Sequence, residues 1–220
     1  MSSHSVELTP EPSQIQLGPF KISIPVICLL WGMTLLGGLL LSADYQWRPA
    51  VSGETPERWP ATPSIASPAG KPILLMFLHP HCPCSRSSLA QLKALLADEP
   101  GKAVVQILFF DSPEFKLRIE ESDNWKLAHN VPGVTVALDK DGKASRMFGA
   151  CASGTVVLYD GAGQLQFTGG ITAGRGHVGT NPAVEAVTAC LNGATVTRRD
   201  YPVFGCPISR LPTESKPVLR

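Results

Sequence analysis

One uncharged apolar stretch constrains this chain more than any other feature of its sequence. Residues 22–41 read ISIPVICLLWGMTLLGGLLL and contain no Asp, Glu, Lys or Arg. As a helix rising about 1.5 Å per residue, this stretch would be about 30 Å long, which matches the hydrocarbon core of a bilayer. A buried core helix seldom needs so long an uncharged run on all of its faces. The stretch therefore predicts a single transmembrane helix at 22–41.

A cleaved signal peptide is the main alternative for the same stretch. A long and barely basic segment of 20 residues precedes Lys21. The Leu41-Ser42-Ala43 end lacks the small residue that signal peptidase needs at the first position of its site. These two features favour an uncleaved anchor, whereas the few basic residues on its two sides leave the orientation open.

The remaining sequence divides by composition into four parts. Residues 1–21 are predicted to be a disordered polar tail. Residues 42–70 contain five prolines after Asp44 and are predicted to be an extended linker. Residues 71–195 carry the alternation of apolar runs expected of a globular domain. Residues 196–220 are predicted to be a C-terminal extension containing Cys206.

The charge balance excludes one class of partner. The chain has 19 Lys and Arg against 18 Asp and Glu, a net charge of +1. Nucleic-acid binding requires a basic surface, so we expect no nucleic-acid partner. The oligomeric state is not indicated.

The domain at 71–195 has the pattern of an α/β fold. Ile73–Leu78 and 104–110 are continuous apolar runs, typical of buried parallel strands, and a helix is predicted between them. Residues 155–159 and 164–168 predict an antiparallel hairpin. Asn181-Pro182 then predicts the start of a last helix. Further elements are expected at 114–129 (helix), 134–138 (strand) and 144–148 (helix). We therefore expect a three-layer sandwich with a mixed central sheet.

Six cysteines are present, and Cys28 lies in the apolar stretch. The five others are an odd number, so a fully paired disulfide framework is not expected. Cys190 lies beside the apolar face of the last helix, which favours an inert buried thiol. The sequence leaves three alternatives for Cys206: a resolving thiol that folds back, a partner of Cys151, or a free thiol.

The Cys82-Pro83-Cys84 motif is the sequence feature that most strongly indicates a chemical function. It follows the first buried strand and precedes a helix, whose positive N-terminal end favours the thiolate form. Two thiols so close in sequence can close only a small, strained and therefore labile disulfide. Such a disulfide suits redox exchange in an oxidising compartment.

Two histidines flank this motif and support a metal-binding alternative. His79 and His81, together with Cys82 and Cys84, offer sulfur and imidazole ligands suited to Cu(I) or Zn, with Cys82, Cys84 and His81 as the ligand set. The simpler interpretation is that His81 tunes the pKa of Cys82 by its charge.

A glycine-rich loop at 174–179 matches the spacing of a dinucleotide fingerprint. The last helix begins only after these glycines, at Asn181-Pro182, which is not the fingerprint's context. No cofactor is therefore expected. Arg175 and His177 in this loop are candidates for contact with a partner or an anion, but the sequence favours a solvated loop.

Two stretches resemble known proteins. MFLHPHCPCSRSSLAQL (76–92) is similar to the active-site turn of thioredoxin-like proteins. FGACASGTVVLYDGAGQLQFTGGITAGRGHVGTN (148–181) resembles the C-terminal half of RedB, a group of membrane-anchored thioredoxin-like proteins. The resemblance covers about 71–195 and implies a thioredoxin fold, a thiol–disulfide role and protein thiols or disulfides as partners.

The resemblance also assigns roles to residues. Cys82 falls on the exposed nucleophilic position and Ser85 on that of the usual resolving cysteine, which makes Cys84 the resolving thiol here. Pro83 limits the rearrangement of the two thiols. Gly154 stands where such enzymes carry a cis-proline, which implies an open wall opposite the cysteines.

Three functions are thus expected. The first is a periplasmic thiol–disulfide oxidoreductase, anchored by one helix in the inner membrane, that uses Cys82 and Cys84. The second is a Cu(I)- or Zn-binding chaperone on the same fold. The third is a peroxiredoxin-like peroxide reductase with Cys82 as the peroxidatic thiol.

Overall fold

The computed structural model describes residues 14–17, 20–60, 65, 70–113 and 118–208. It divides the chain into two units, Met1–Tyr45 and Gln46–Arg220.

The first unit contains two short strands and most of one long helix. Strands β1 (Gln14–Leu17) and β2 (Phe20–Ser23) pair antiparallel, and helix α1 runs over Ile24–Trp47. The strands lie where the sequence predicts a disordered tail. QIQL and FKIS alternate polar and apolar residues around Gly-Pro, a hairpin pattern that the composition of the tail obscures.

Helix α1 confirms that the apolar stretch is helical and long enough to cross a membrane. It begins two residues later than predicted and continues six residues beyond Leu41. Its large apolar side chains are exposed over most of its length, as expected of a helix whose apolar faces require lipid.

The second unit is built on one mixed sheet. Its strands are β3 (Ile73–Leu78), β4 (Val104–Asp111), β5 (Val134–Lys140), β6 (Thr155–Tyr159) and β7 (Leu165–Gly170). The order across the sheet is β5-β4-β3-β6-β7. β3 pairs parallel with β4 and antiparallel with β6, and β6 and β7 form the predicted hairpin. The predicted mixed sheet is therefore confirmed.

Both faces of this sheet are covered. The helices of the unit are α2 (Cys84–Asp98), α3 (Asp123–His129), α4 (Lys143–Met147) and α5 (Pro182–Leu191). α2, α3 and α5 pack on one face, and α4 with irregular segments covers the other. All six residues of β3 are buried, which explains its unbroken apolar sequence.

The helix expected at 114–129 is shorter than predicted. A 3-10 turn at Ile119–Glu121 precedes α3, and residues 114–117 lie outside the described part of the chain. Ser122 separates the two with an extended backbone, and its hydroxyl accepts a hydrogen bond from Trp125 N, so it caps α3. The cap at Asn181 is confirmed for α5.

The proline-rich linker is not a free spacer. Residues 48–60 run along the second unit, where Trp59 packs against Phe148 and Tyr159 with ring centroids 5.1 and 5.2 Å away. The Tyr159 hydroxyl donates to Pro56 O at 2.7 Å. Proline content correctly indicates an extended backbone, but the aromatic packing ties that backbone to the domain.

The C-terminal extension also packs on the domain up to residue 208. Val203, Phe204 and Ile208 are buried. The Tyr201 ring stacks on Phe167, and Tyr201 N donates to Thr168 O at 3.0 Å. These contacts bring Cys206 back to the sheet. Residues 209–220 lie outside the described part of the chain.

Candidate functional site

The Cys-Pro-Cys motif lies where β3 ends and α2 begins, as predicted. Cys84 is the first residue of α2, and Pro83 occupies the cap position with φ −61° and ψ −32°. Cys82 N donates to His79 O at 3.2 Å, which closes the turn after the strand. The two thiols therefore stand at the positive end of a 15-residue helix.

Cys82 is buried rather than exposed. Its exposed fraction is 1%. The expectation of an exposed nucleophile is thus wrong for this conformation, because the C-terminal extension covers the thiol. Cys206 contributes both its thiol and its main-chain N–H as hydrogen-bond donors to Cys82 Sγ.

The environment of Cys82 favours its thiolate. Burial raises the pKa of Cys82, but hydrogen bonds from Cys206 and from the main-chain N–H groups of Cys84 and Ser85 bring its pKa below the ordinary value. Hydrogen bonds to the charged form outweigh the loss of solvation here. Cys82 is therefore the most nucleophilic group of the site.

Cys84 and Cys206 hold their protons more firmly. Burial and the negative charge of Cys82 raise the pKa of Cys84. Burial, followed by the hydrogen bond to Cys82 and its charge, raises the pKa of Cys206 to about 12. The site thus places one cysteine with a lowered pKa beside two cysteines with raised pKa values.

Arg175 lies at the site, and the expected solvated loop is incorrect for this residue. Its guanidinium hydrogen-bonds the Cys84 thiol, which lowers the pKa of Cys84 against the effects of burial and of Cys82. His177 fixes the same loop through two contacts. Its ring stacks on Trp47 with centroids 5.2 Å apart, and its Nδ1 lies 2.9 Å from Arg175 O.

The wall opposite the cysteines is filled rather than open. Gly154 has φ +93°, and its N–H donates to Phe77 O at 2.8 Å. The residue before it, Ser153, donates its N–H to Cys206 O at 2.8 Å. A Cβ added at Gly154 would lie 2.8 Å from Ser88 Oγ, so Ser88 of α2 occupies the space beside Gly154, and the C-terminal extension lies next to it at Ser153.

His79 and Ser85 belong to a polar network under the motif. His79 N and Ser85 Oγ both bond Ser153 Oγ, at 2.9 and 2.8 Å. Burial and the nearby His81 lower the pKa of His79, which favours its neutral form. His79 Nδ1 accepts a hydrogen bond from His81 N at 3.1 Å. Both residues shape the turn.

Asn124 was not singled out by the sequence. Its buried amide donates to Pro80 O at 2.8 Å and to Cys82 O at 3.0 Å. It therefore anchors the turn that carries Cys82 from α3, a helix that is distant in sequence. No pattern in the sequence marks this residue, because only the packing of α3 beside α2 creates the contact.

An open groove of about 630 Å³ reaches the same turn. Its walls include Pro80, His81, Pro83 and Asn124, and Cys82 is among its lining residues. Cys82 therefore lines this groove and also contacts the C-terminal extension.

The predicted metal set is not assembled. Within the described residues, no group of three or more His, Cys, Asp or Glu side chains could hold a metal ion. Cys82, Cys84 and His81 therefore do not form a ligand set. The physical reason is that the His81 side chain is exposed, whereas Cys82 points into the domain.

The two remaining cysteines of the second unit lie apart from these thiols. The buried Cys151 donates to Gly149 O at 3.3 Å, so the structure does not support a pairing with Cys206. Cys190 is half-buried, and its Sγ lies 3.7 Å from Gln166 O. Burial raises the pKa of both thiols.

Comparison with known proteins gives the fold. No protein-family model and no curated protein sequence matches this chain. An uncharacterized conserved protein from Geobacillus kaustophilus is similar in structure, with a TM-score of 0.54 and 17% identity over 77% of this chain and 92% of that one. A hypothetical protein from Sinorhizobium meliloti has a TM-score of 0.52 and 18% identity over 74% and 96%.

The order of elements around β3 decides the fold class: a β-α-β unit is followed by a β-hairpin and a helix, with β3 at the centre of the sheet. The fold is thioredoxin-like. A secreted disulfide oxidoreductase of Mycobacterium tuberculosis has a lower TM-score of 0.42, with 15% identity over 56% of this chain and 82% of that one. The two structures with TM-scores above 0.5 support the fold and, at 17% and 18% identity, do not establish the activity.

Proposed function

We propose that this protein is a thiol–disulfide oxidoreductase with Cys82 as its nucleophile. The observation that carries the proposal is the state of Cys82, a thiolate-favouring sulfur at a helix N-terminus in contact with two protonated thiols. A nucleophile and a second thiol within contact are the two components that disulfide exchange requires.

The reaction would proceed in two steps. The Cys82 thiolate attacks one sulfur of a substrate disulfide, forms a mixed disulfide and releases the other sulfur as a thiolate. A neighbouring thiol, which the sequence predicts to be Cys84, loses its proton and attacks Cys82 Sγ. This step releases the second substrate sulfur as a thiolate. The substrate gains two electrons, and the enzyme ends with an internal disulfide.

The groove beside Cys82 provides room for such a substrate. It is lined in part by the main chain and by Pro80 and Pro83, and Asn124 stiffens the turn below it. An extended peptide bearing a disulfide fits a groove of this size and openness. Protein thiols and disulfides are therefore the proposed partners.

Helix α1 supports a membrane-anchored enzyme related to RedB. Its uncharged sequence meets the length and composition that a membrane span requires. The redox-active thiols favour a location of the second unit on the oxidising, periplasmic side of the inner membrane. A protease-protection experiment on spheroplasts tests this placement, since external protease would digest a domain facing the periplasm. Full protection of the domain would contradict it.

The activity is tested with the full-length chain in detergent. We expect Cys82→Ser to abolish reduction of a disulfide-linked, self-quenched fluorescent peptide in the presence of dithiothreitol. The matched control is Cys190→Ser, which removes a half-buried thiol outside the site and should leave the rate unchanged. Wild-type activity in Cys82→Ser would refute the proposal.

Peroxide reduction is a second candidate, favoured by the burial of Cys82. With only 1% of this residue exposed, a small oxidant reaches the sulfur more easily than a protein disulfide does. The thiolate would attack a peroxide oxygen, forming sulfenic acid and releasing water or an alcohol. Peroxide consumption with a dimedone adduct on Cys82, together with no reduction of the fluorescent peptide, would support this candidate over the first.

A further inference from the structure

The C-terminal extension holds a third thiol against the nucleophile in a fixed position. On one side of Cys206, Val203 and Phe204 are buried, and Ala50 N donates to Val203 O at 2.8 Å. On the other side, Ile208 N donates to Cys151 O at 2.9 Å.

Hydrogen bonding at Cys206 itself completes this attachment. Its carbonyl accepts from Ser153 N, and its N–H and thiol donate to Cys82 Sγ. Gly205 lies so close to Ser153 O that an added Cβ would overlap it. The extension from Val203 to Ile208 is therefore a docked segment without regular secondary structure, and Cys206 is its contact with Cys82.

Cys84 is less favourably placed to close a disulfide with Cys82. The Cys84 thiol also hydrogen-bonds Cys82, but Cys84 is the first residue of α2 and only Pro83, with helical dihedral angles, separates it from Cys82, so their disulfide would close a very small ring. A Cys82–Cys84 bond would need the first turn of α2 to distort. Cys206 has no such constraint, because it approaches from a separate segment.

The charge of Cys82 also controls when Cys206 can react. Burial is the largest cause of the raised pKa of Cys206, and the hydrogen bond to Cys82 and the charge of Cys82 follow. Once Cys82 is in a mixed disulfide, the charge of Cys82 is gone, whereas the effect of Arg175, which lowers the pKa of Cys206, remains. The first step of the reaction therefore lowers the pKa of Cys206.

We infer that Cys206 is the resolving thiol of this site, so that the oxidised enzyme carries a Cys82–Cys206 disulfide between the motif and its C-terminal extension. This inference rests on the proposed function and deepens it. The substrate enters from the groove, whose described lining residues lie between Pro80 and Asn124, and the resolving thiol comes from the extension.

The chemical balance is that of thiol–disulfide exchange. Cys206 loses its proton to solvent, and its thiolate attacks Cys82 Sγ in the mixed disulfide. The S–S bond to the substrate breaks, and the substrate sulfur leaves with the electron pair. The net result is one reduced substrate disulfide and one new Cys82–Cys206 bond.

The test uses the full-length chain in detergent with oxidised glutathione as the disulfide. After quenching with N-ethylmaleimide, disulfide-linked peptides are mapped by mass spectrometry without reduction. We expect the Cys82–Cys206 peptide in the wild type and in Cys84→Ser. In Cys206→Ser, the Cys82–glutathione adduct should persist on the order of tenfold longer than in the wild type. Cys190→Ser is the control and should match the wild type.

The outcomes separate the two proposals. A Cys82–Cys84 peptide in the wild type, with normal resolution in Cys206→Ser, would overturn the role of Cys206 and leave the oxidoreductase proposal standing. Absence of any glutathione adduct or disulfide at Cys82 in all variants would overturn both. Mapping of the wild type does not depend on the folding of any variant.

Discussion

Cys206 donates two hydrogen bonds to Cys82 Sγ, one from its thiol and one from its main-chain N–H. These residues are 124 positions apart in the sequence. The N-terminus of α2 adds further donors. The buried Cys82 sulfur therefore accepts hydrogen bonds from more than one side. A thiolate is stable there because hydrogen bonds replace the lost water.

The first prediction concerns the pH dependence of Cys82. Because its pKa lies below the ordinary value, its thiolate form extends to lower pH, and the midpoint of its alkylation profile should fall below that of a free cysteine. Cys206→Ala removes one donor to the thiolate, so the midpoint should move upward. Iodoacetamide labelling of the Cys82 peptide from pH 5 to 10, followed by mass spectrometry, measures both profiles.

The midpoint reports the pKa of Cys82, whereas the absolute labelling rate also depends on access to its sulfur. Cys190→Ala is the matched control and should keep the wild-type midpoint. An unchanged midpoint in Cys206→Ala would show that its thiol does not stabilise the thiolate.

The second prediction concerns the docking of the extension. In Gly205→Ala, the new Cβ would overlap Ser153 O, so the segment must move away and uncover Cys82. We expect alkylation of Cys82 at fixed pH to become faster, on the order of tenfold, which corresponds to about 1.4 kcal/mol in the opening equilibrium.

Gly37→Ala is the control for this experiment, because an added Cβ there has no atom within 4 Å. It should leave the labelling rate at the wild-type value. Equal rates in Gly205→Ala and the wild type would mean that the extension does not limit access to Cys82.

The third prediction concerns the support of the active turn by Asn124. Asn124→Ala leaves the buried carbonyls of Pro80 and Cys82 without their donor, and we expect a loss of about 1–3 kcal/mol in the free energy of unfolding. Urea denaturation of the full-length chain, followed by tryptophan fluorescence, measures this loss.

Asn192→Ala is the matched control. Its side-chain nitrogen also donates two hydrogen bonds, to Glu99 Oε1 and Thr188 O, and its oxygen accepts one from Lys102 Nζ, but at an exposed position where water can replace it. We expect a smaller loss than for Asn124→Ala. A loss in Asn124→Ala no larger than in Asn192→Ala would mean that the buried bonds do not hold the turn.

Much of the fold could be predicted from local patterns. The apolar run of β3 indicated a doubly covered strand, and Asn181-Pro182 marked the start of α5. The helix proposed at 114–129 is too long, because Arg118 and Ser122 both have an extended backbone and enclose a 3-10 turn before α3 begins. Hydrophobic periodicity does not detect such isolated residues.

The two segments judged by composition were harder to predict. The proline content of the linker does not show that Trp59 packs on the sheet. The polar composition of the C-terminal extension does not show that Phe204 is buried. Both contacts join segments far apart in the chain. The long-range contacts decide whether such segments are spacers or parts of the domain.

By itself, the sequence determined the apolar helix, the α/β pattern and the position of Cys82 at the start of a helix, because each depends on neighbouring residues. Only the tertiary structure decided that Cys82 is buried, that Arg175 reaches Cys84 and that Cys206 contacts Cys82. The physical reason is that burial, hydrogen bonding and pKa depend on which distant segments fill the space around a sulfur. In this protein, the C-terminal extension fills that space.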